Sequence, residues 1–295
     1  MATLSLRRLA RLLIDQLGSS LPRRVADGAS LVLCYHNVVE DGDGGRGDAS
    51  LHLSVSAFER QLRVAGAEAD LVSLPELLAA HGTPGRRVAV TFDDAYRGCL
   101  RLGLPLCRAD GVRPTVFVAP ALLGAFAPWD MYSEEGRWSP VRRAGFLEAG
   151  GVVTETDDAR EYAGLPPDYR IATEEELQHL VANCPVDLAN HTDRHVNLAR
   201  TAPDTAEAEV SRCERYLAAR FPTLHLAGCL AFPYGQPPGD RAAAVLTGSV
   251  HHGFLVSGGW LHPADSACTL AIPRLNIPAG LTITRFEAQL RGWFT

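Results

Sequence analysis

Val88-Ala89-Val90-Thr91-Phe92-Asp93-Asp94 decides how the chain is read. Its first five residues are apolar or β-branched, the composition of a strand buried on both faces, as in a parallel sheet flanked by helices. Such a strand then runs straight into two carboxylates. Burying two adjacent charges without partners is strongly unfavourable. Neighbours on an extended backbone also point to opposite sides. One carboxylate can therefore bind a cation while the other faces a reacting water; the plainer alternative is a solvated loop cap.

Outward from that strand, the spacing predicts a helix over about 96–109, ended by Gly111, and a strand over Pro114–Val118. Upstream, Leu31–Tyr35 reads as a buried strand ending at His36 and Asn37. Residues 40–50 form a polar, glycine-rich loop. Ser56 can cap a helix carrying Phe58 and Leu62, with Glu59 in the reciprocal position. Downstream, Thr173 and Glu176 form a capping box, and Val186–Ala189 is a short strand leading into Asn190 and His191. A helix ending at Arg220 precedes a strand over Gly228–Phe232, which enters Pro233-Tyr234-Gly235. Strands near 252–257 and 270–274 and a helix near 286–293 close the chain. Residues 120–172, rich in Pro, Gly, Trp and mixed charge, break the alternation and read as an insertion over one rim. Repeated strand–helix units imply an α/β fold in one domain, an irregular parallel barrel rather than a flat doubly wound sheet. In either, polar residues at strand ends form the site.

The 295 residues are 46% apolar and 21% charged, enough for a core and unlike a disordered chain. A net charge of −6 gives no basic footprint for nucleic acid. Every positive side chain is Arg, which excludes a lysine nucleophile or Schiff base. Seven cysteines without a CxxC pair read as reduced, buried thiols and suit the cytoplasm. Residues 1–29 begin with an amphipathic helical pattern, Leu and Ile on one side and Arg on the other. Two readings of it stay open: docking onto the body of the protein, or weak contact with an anionic inner membrane surface. The oligomeric state is left open.

His191 and His195 form an HxxxH pair after a short strand, and a helical turn would put both rings on one side. Two imidazoles and one carboxylate suit zinc, with a position left for water and substrate. The pair is not HExxH, and neither a GxGxxG after the first strand nor a Walker loop occurs.

Thr91-Phe92-Asp93-Asp94 resembles the first signature of the polysaccharide deacetylases. His191-Thr192-Asp193-Arg194-His195 is similar to their H-[ST]-x-x-H block, and Phe232-Pro233-Tyr234-Gly235 to their aromatic-Pro-Tyr-Gly loop. The resemblance runs from about Leu31 to Leu290 and implies an irregular (β/α)7 barrel. It implies one divalent ion, zinc above all, on Asp94, His191 and His195, with Asp93 as base and the main-chain amide of Tyr234 facing the oxyanion. Tyr35-His36 resembles the YH motif of members with a circularly permuted barrel, where the His acts as general acid. Pro273-Arg274-Leu275 resembles the late P-R-[IL] segment of that branch, which implies an Arg paired with Asp93. Two departures stand out. Leu230 and Ala231 occupy positions where an Arg often precedes the aromatic-Pro-Tyr-Gly loop. Ala95 replaces a Gly, which would be strained in a turn with positive φ. The implied substrate is an N-acetylated amino sugar or glycan. An O-deacetylase, an amide deacylase on a small metabolite and an inactive carbohydrate-binding barrel are the alternatives. Trp129, Asp130 and Trp260 are candidate sugar contacts, with Trp129-Asp130 as a lid, and Trp138 is a further stacking candidate.

Overall fold

A computed structural model describes residues 20–136, 139–148, 150, 164–267 and 269–293. Its strands, in chain order, are β1 Ser30–Tyr35, β2 Asn37–Val39, β3 His52–Ser54, β4 Asp70–Leu71, β5 Arg87–Phe92 and β6 Thr115–Val118. They continue with β7 Asp187–Asn190, β8 His225–Ala231, β9 His252–Phe254, β10 Trp260–Leu261 and β11 Leu275–Asn276. The expected strand over 88–92 is β5, and β1 pairs with it in parallel along its whole length. Parallel pairing continues from β5 through β6, β7 and β8 to β9.

Residues 272–276 close the ring. Ile272 bridges Phe254 in parallel, donating to Gly253 O at 2.8 Å and accepting from Leu255 N at 2.9 Å. Three residues on, β11 pairs in parallel with Leu33 and Cys34 of β1. Seven strand positions thus enclose the centre, the seventh split between two short contacts. This is the irregular (β/α)7 barrel. Alternate residues point inward: Val32, Ala89, Phe117, Ala189, Ala231, Phe254 and Ile272 pack in one cluster. Their neighbours Leu31, Leu33, Val88, Val90, Val116 and Leu188 pack outward, against helix residues such as Phe58, Leu62 and Leu217. That alternation follows from the two-residue period of a strand.

Local signals explain most helix starts. Ser73 with Glu76, and Thr173 with Glu176, form capping boxes for Leu74–Ala80 and Glu174–Val181. The helix Val55–Glu68 is capped by Ser54, and Ser56 lies inside it; Ser54 is the last residue of β3 and already extended, the backbone that a cap needs. The helix expected over 96–109 opens with a π turn at Cys99–Gly103 before Leu104–Ala109.

The N-terminal helical pattern falls mostly on residues 1–19, outside the described residues, as do Trp138 and Cys268. Residues 21–29 are described and are not helical. Pro22 cannot continue a helix interior. The stretch docks on the C-terminal helix Ile283–Leu290 and the turn after it: Arg291 donates to Leu21 O at 2.8 Å, and the Trp293 indole donates to Pro22 O at 2.9 Å. Among the described residues, no helix is long and apolar enough to cross a membrane.

Candidate active site and metal centre

The C-terminal ends of β1, β5 and β7, and the segment after β8, meet at one rim. They surround a cavity of about 170 Å³ lined by His36, Asp93, Asp94, His191, His195 and Tyr234. Trp129, Leu51, Asp48, Arg143, Leu147 and Asn276 add to its walls.

Asp93 and Asp94 are both buried, in opposite surroundings. Arg274, itself fully buried, donates from Nη1 and Nη2 to the two oxygens of Asp93, each at 2.7 Å. The guanidinium is anchored in turn by Leu255 O at 2.7 Å and Thr91 Oγ1 at 3.2 Å. Burial by itself would raise the Asp93 carboxyl. The Arg274 charge and its paired hydrogen bonds overcome that and hold Asp93 well below the usual carboxylate range. The Cys34 thiol also lies 3.4 Å from Asp93 Oδ2. Burial pushes this thiol up, so it stays protonated and donates.

Asp94 has no such partner. Its Oδ1 is buried without a hydrogen bond and faces His191 Nε2 at 3.5 Å and His195 Nε2 at 3.3 Å. Burial, then the charges of Asp93 and Asp130, push its carboxyl up. A tetrahedral ion with bonds of about 2.0–2.2 Å holds its ligand atoms roughly 3.4 Å apart. The Asp94–histidine separations fit that geometry. The His191 ring fits as well: its Nδ1 lies 2.8 Å from Ala231 O and must carry the proton there, which leaves Nε2 with a lone pair toward Asp94. Burial pulls both imidazoles down from their usual value, as neutral ligands require.

The two histidines sit on a loop, not on the helical turn that the HxxxH spacing suggested. Thr192 has φ 61° and His195 φ 56°. Asp94 (70°), Ala95 (57°) and Tyr234 (60°) complete the positive-φ non-glycine positions among the described residues, so all of them fall in the three motifs or directly after one. Each costs about 1–2 kcal/mol relative to ordinary backbone. Ala95 therefore takes the strained conformation that its replacement of Gly threatened. Gly235 follows at φ 67°, and a Cβ there would lie 1.8 Å from Val256 Cγ2.

His36 projects into the cavity from the end of β1, near Asp93. Burial lowers its imidazole to about 4, and the opposing pull of Asp93 does not compensate. The Tyr234 ring lies against His195, with centroids 4.6 Å apart.

Of the three sugar-contact candidates, Trp129 alone lines the cavity. Its ring packs on His195 at 4.9 Å, and its indole N–H donates to Tyr96 OH at 2.9 Å. Asp130 points the other way and contacts no substrate space. It is fully buried and accepts from His52 Nε2 (2.9 Å), Asp48 N (2.8 Å) and Tyr96 OH (2.6 Å). Adjacent residues of the helix Pro128–Glu134 point in different directions, so Trp129 and Asp130 cannot share a role. Trp260 is also misplaced. It pairs with Leu31 near the start of β1, the end opposite His36, and its indole donates to Gln289 O at 3.3 Å. Sequence reasoning missed Cys34, Asp48, Ser50, Leu51, Arg143, Leu147, Val256 and Asn276. None stands in a recognisable motif, and only the folding of loop 40–51 and helix Pro140–Glu148 over the rim brings most of them in.

No curated protein matches the sequence. Several solved structures share the fold. PplD, a deacetylase from Streptococcus pyogenes in complex with acetate, is 15% identical with a TM-score of 0.62 over 90% of this chain and 99% of that one. IcaB from Ammonifex degensii is 18% identical with a TM-score of 0.62, over 90% of this chain and 98% of that one. A de-N-acetylase from Aggregatibacter actinomycetemcomitans is 15% identical with a TM-score of 0.61, over 88% of this chain and 99% of that one. The family model of the polysaccharide deacetylases matches residues 80–247, more than half of the sequence, and that range holds Asp93, Asp94, His191, His195 and Tyr234. The chain belongs to the polysaccharide deacetylase family.

Proposed function

We propose that this protein is a metal-dependent hydrolase that removes an N-acetyl group from an amino sugar or glycan. One observation carries the reading: two adjacent carboxylates are electrostatically divided. Asp94 offers an orphaned oxygen to two histidine nitrogens, while Asp93 is held ionised by Arg274. A divalent cation, zinc for this mixed nitrogen and oxygen donor set, would be held by Asp94, His191 and His195, and would supply Lewis acidity to the acyl carbonyl and acidify water.

The chain's own groups account for the rest. Asp93 is ionised at neutral pH and takes the proton from the attacking water. We assign the main-chain amide of Tyr234 to the developing oxyanion. His36 is neutral before turnover, so it delivers a proton to the leaving amine only after receiving one. Its ring nitrogen and the Asp93 carboxylate lie within 4.8 Å, which suits a relay of the proton taken from water. The balance closes: water and amide become acetate and a free amine. Trp129 and Leu51 shield the cavity wall, and its small volume suits one acetyl group with part of one sugar ring. The description of one structural relative as a de-N-acetylase supports the amide over the ester.

The test joins metal analysis to acetate release from short N-acetylated glycans. Stoichiometric metal with acetate release is expected. Metal-loaded protein that releases no acetyl group from any amide or ester would overturn the reading.

A further inference from the structure

The metal ligands His191 and His195 are joined by a strained loop, and one helix holds the middle of that loop by side chains. Pro203–Arg220 lies against that loop and carries Glu209, Arg212 and Cys213 on one face. Glu209 is fully buried, and both its oxygens are used. Oε2 accepts the main-chain N–H of Arg194 at 2.9 Å, and Oε1 accepts Arg194 Nε at 2.7 Å and Arg212 Nη2. Arg212 Nε also donates to Asp193 Oδ2 at 2.8 Å. Asp193 O accepts Ala121 N at 3.0 Å, so the loop is gripped from both sides. The side chains of Arg194 and Arg212 are about two-fifths exposed, unlike the carboxylate between them.

We propose that Glu209 is a positioning residue for the metal centre. It fixes the Asp193–Arg194 segment, and through it the left-handed Thr192 and His195, so that both imidazoles face Asp94. Stability alone does not require a carboxylate here. A buried ion pair recovers little more than its own desolvation cost, and the part-exposed Arg194 and Arg212 can turn to water when the carboxylate is lost. What an apolar residue cannot do is accept the Arg194 N–H. Backbone in a sparsely populated region persists only when its surroundings over-determine it. Glu209 supplies the acceptor that ties the middle of the loop to the helix. The inference rests on the metal centre proposed above but not on the substrate.

The experiment measures Zn²⁺ affinity of metal-stripped, folded protein by chelator competition, alongside thermal unfolding in EDTA. Glu209→Met strands the Arg194 N–H and should lower thermal stability modestly, while weakening zinc binding of the folded protein about 10–100-fold, the usual effect of losing a group that orients a ligand. Arg194→Ala keeps the main-chain N–H and should bind zinc within about 3-fold of wild type, because the main-chain contact carries most of the effect. Glu209→Gln keeps an acceptor oxygen and should fall between the two. Activity of Glu209→Met should recover at saturating zinc. Two outcomes overturn the proposal: Glu209→Met binding zinc as tightly as wild type, or Arg194→Ala binding as weakly as Glu209→Met. Wild type that takes up no zinc, cobalt or manganese overturns the metal reading itself.

Discussion

Replacing Arg274 by Met should reverse the pH dependence that Asp93 contributes to stability. In the wild type the Asp93 carboxyl lies below its unfolded value of about 3.9. The resulting stabilisation is fully present above pH 4 and is lost only as pH falls through the folded value. Arg274→Met removes the one buried guanidinium that opposes the effect of burial. The folded value then rises above the unfolded one, and the carboxyl binds more protons folded than unfolded. From about pH 4 upward the variant loses up to about 1.4 kcal/mol per pH unit until the new folded value is passed. Breaking a buried pair by removing one partner costs about 3–5 kcal/mol, or roughly 5–8 °C in a chain of this size. Urea unfolding from pH 4 to pH 8, with EDTA throughout so that Asp94 is treated alike in both proteins, should show a gap smallest near pH 4 and widening toward neutrality. Asp93→Asn in the Arg274→Met background should recover more than about 2 kcal/mol, since both groups act as one unit. A gap below about 1 kcal/mol at pH 7, or one that narrows as pH rises, would falsify the electrostatic division on which the site rests.

Asp94→Ala and His191→Ala should retain no stoichiometric metal after dialysis, by elemental analysis, whereas Asp93→Asn should keep its ion and lose about 10²–10⁴-fold in kcat, the usual share of a general base. Gly235→Ala should cost about 2–5 kcal/mol in urea unfolding, from a positive φ and a collision with Val256; adding Val256→Ala should return only the collision part. Asp130→Ala should behave as a folding variant: it strands His52, Tyr96 and the Asp48 amide, costs about 3–5 kcal/mol, and leaves KM within about 2-fold in the folded protein. A rise in KM without a fall in stability would return Asp130 to the substrate.

The parts of the site legible in the sequence are those where local pattern and chemistry coincide. An apolar strand ending in charge, as at Phe92-Asp93-Asp94, can only be an outlet of the core toward solvent or a ligand. The same holds for Tyr35-His36 and Ala189-Asn190-His191, so their convergence follows once the strands are taken to be parallel neighbours. Arg274 came from family resemblance, not from physics: nothing in Pro273-Arg274-Leu275 says that β11 closes the barrel and delivers a guanidinium to β5. Trp260 and Asp130 failed for the opposite reason. A tryptophan, or an acid beside one in an insertion over the rim, looks like a sugar contact, yet only the pairing of Trp260 with the start of β1, and the inward side of Pro128–Glu134, decide where each side chain goes. The capping shift from Ser56 to Ser54 is a smaller case, since both serines satisfy the local rule and β3 chooses between them.

The strained backbone and the divided carboxylates belong to one design. Asp94, Ala95, Thr192, His195 and Tyr234 hold positive φ angles at three strand outlets of the barrel. Turning the chain there lets residues adjacent in sequence face different partners: Asp93 continues toward Arg274 inside the barrel, while Asp94 swings to the two imidazoles. On unstrained extended backbone Asp94 would point away from the strand on the opposite side, and nothing would require it to meet groups from β7. The strain of several kcal/mol, at about 1–2 kcal/mol for each residue, is sustained because the surrounding bonds leave no relaxed alternative: Asn190 Oδ1 accepts Thr192 N at 2.8 Å, Thr192 Oγ1 accepts Val196 N at 3.1 Å, and Glu209 holds Arg194. A cation on Asp94, His191 and His195 would add to that restraint by binding only the folded arrangement. Zinc at about a hundredfold over its dissociation constant should therefore raise the unfolding free energy by about 2.7 kcal/mol in the wild type, and leave Asp94→Ala unmoved. Equal stabilisation of both proteins would place the ion elsewhere and leave the strained loops without a chemical reason.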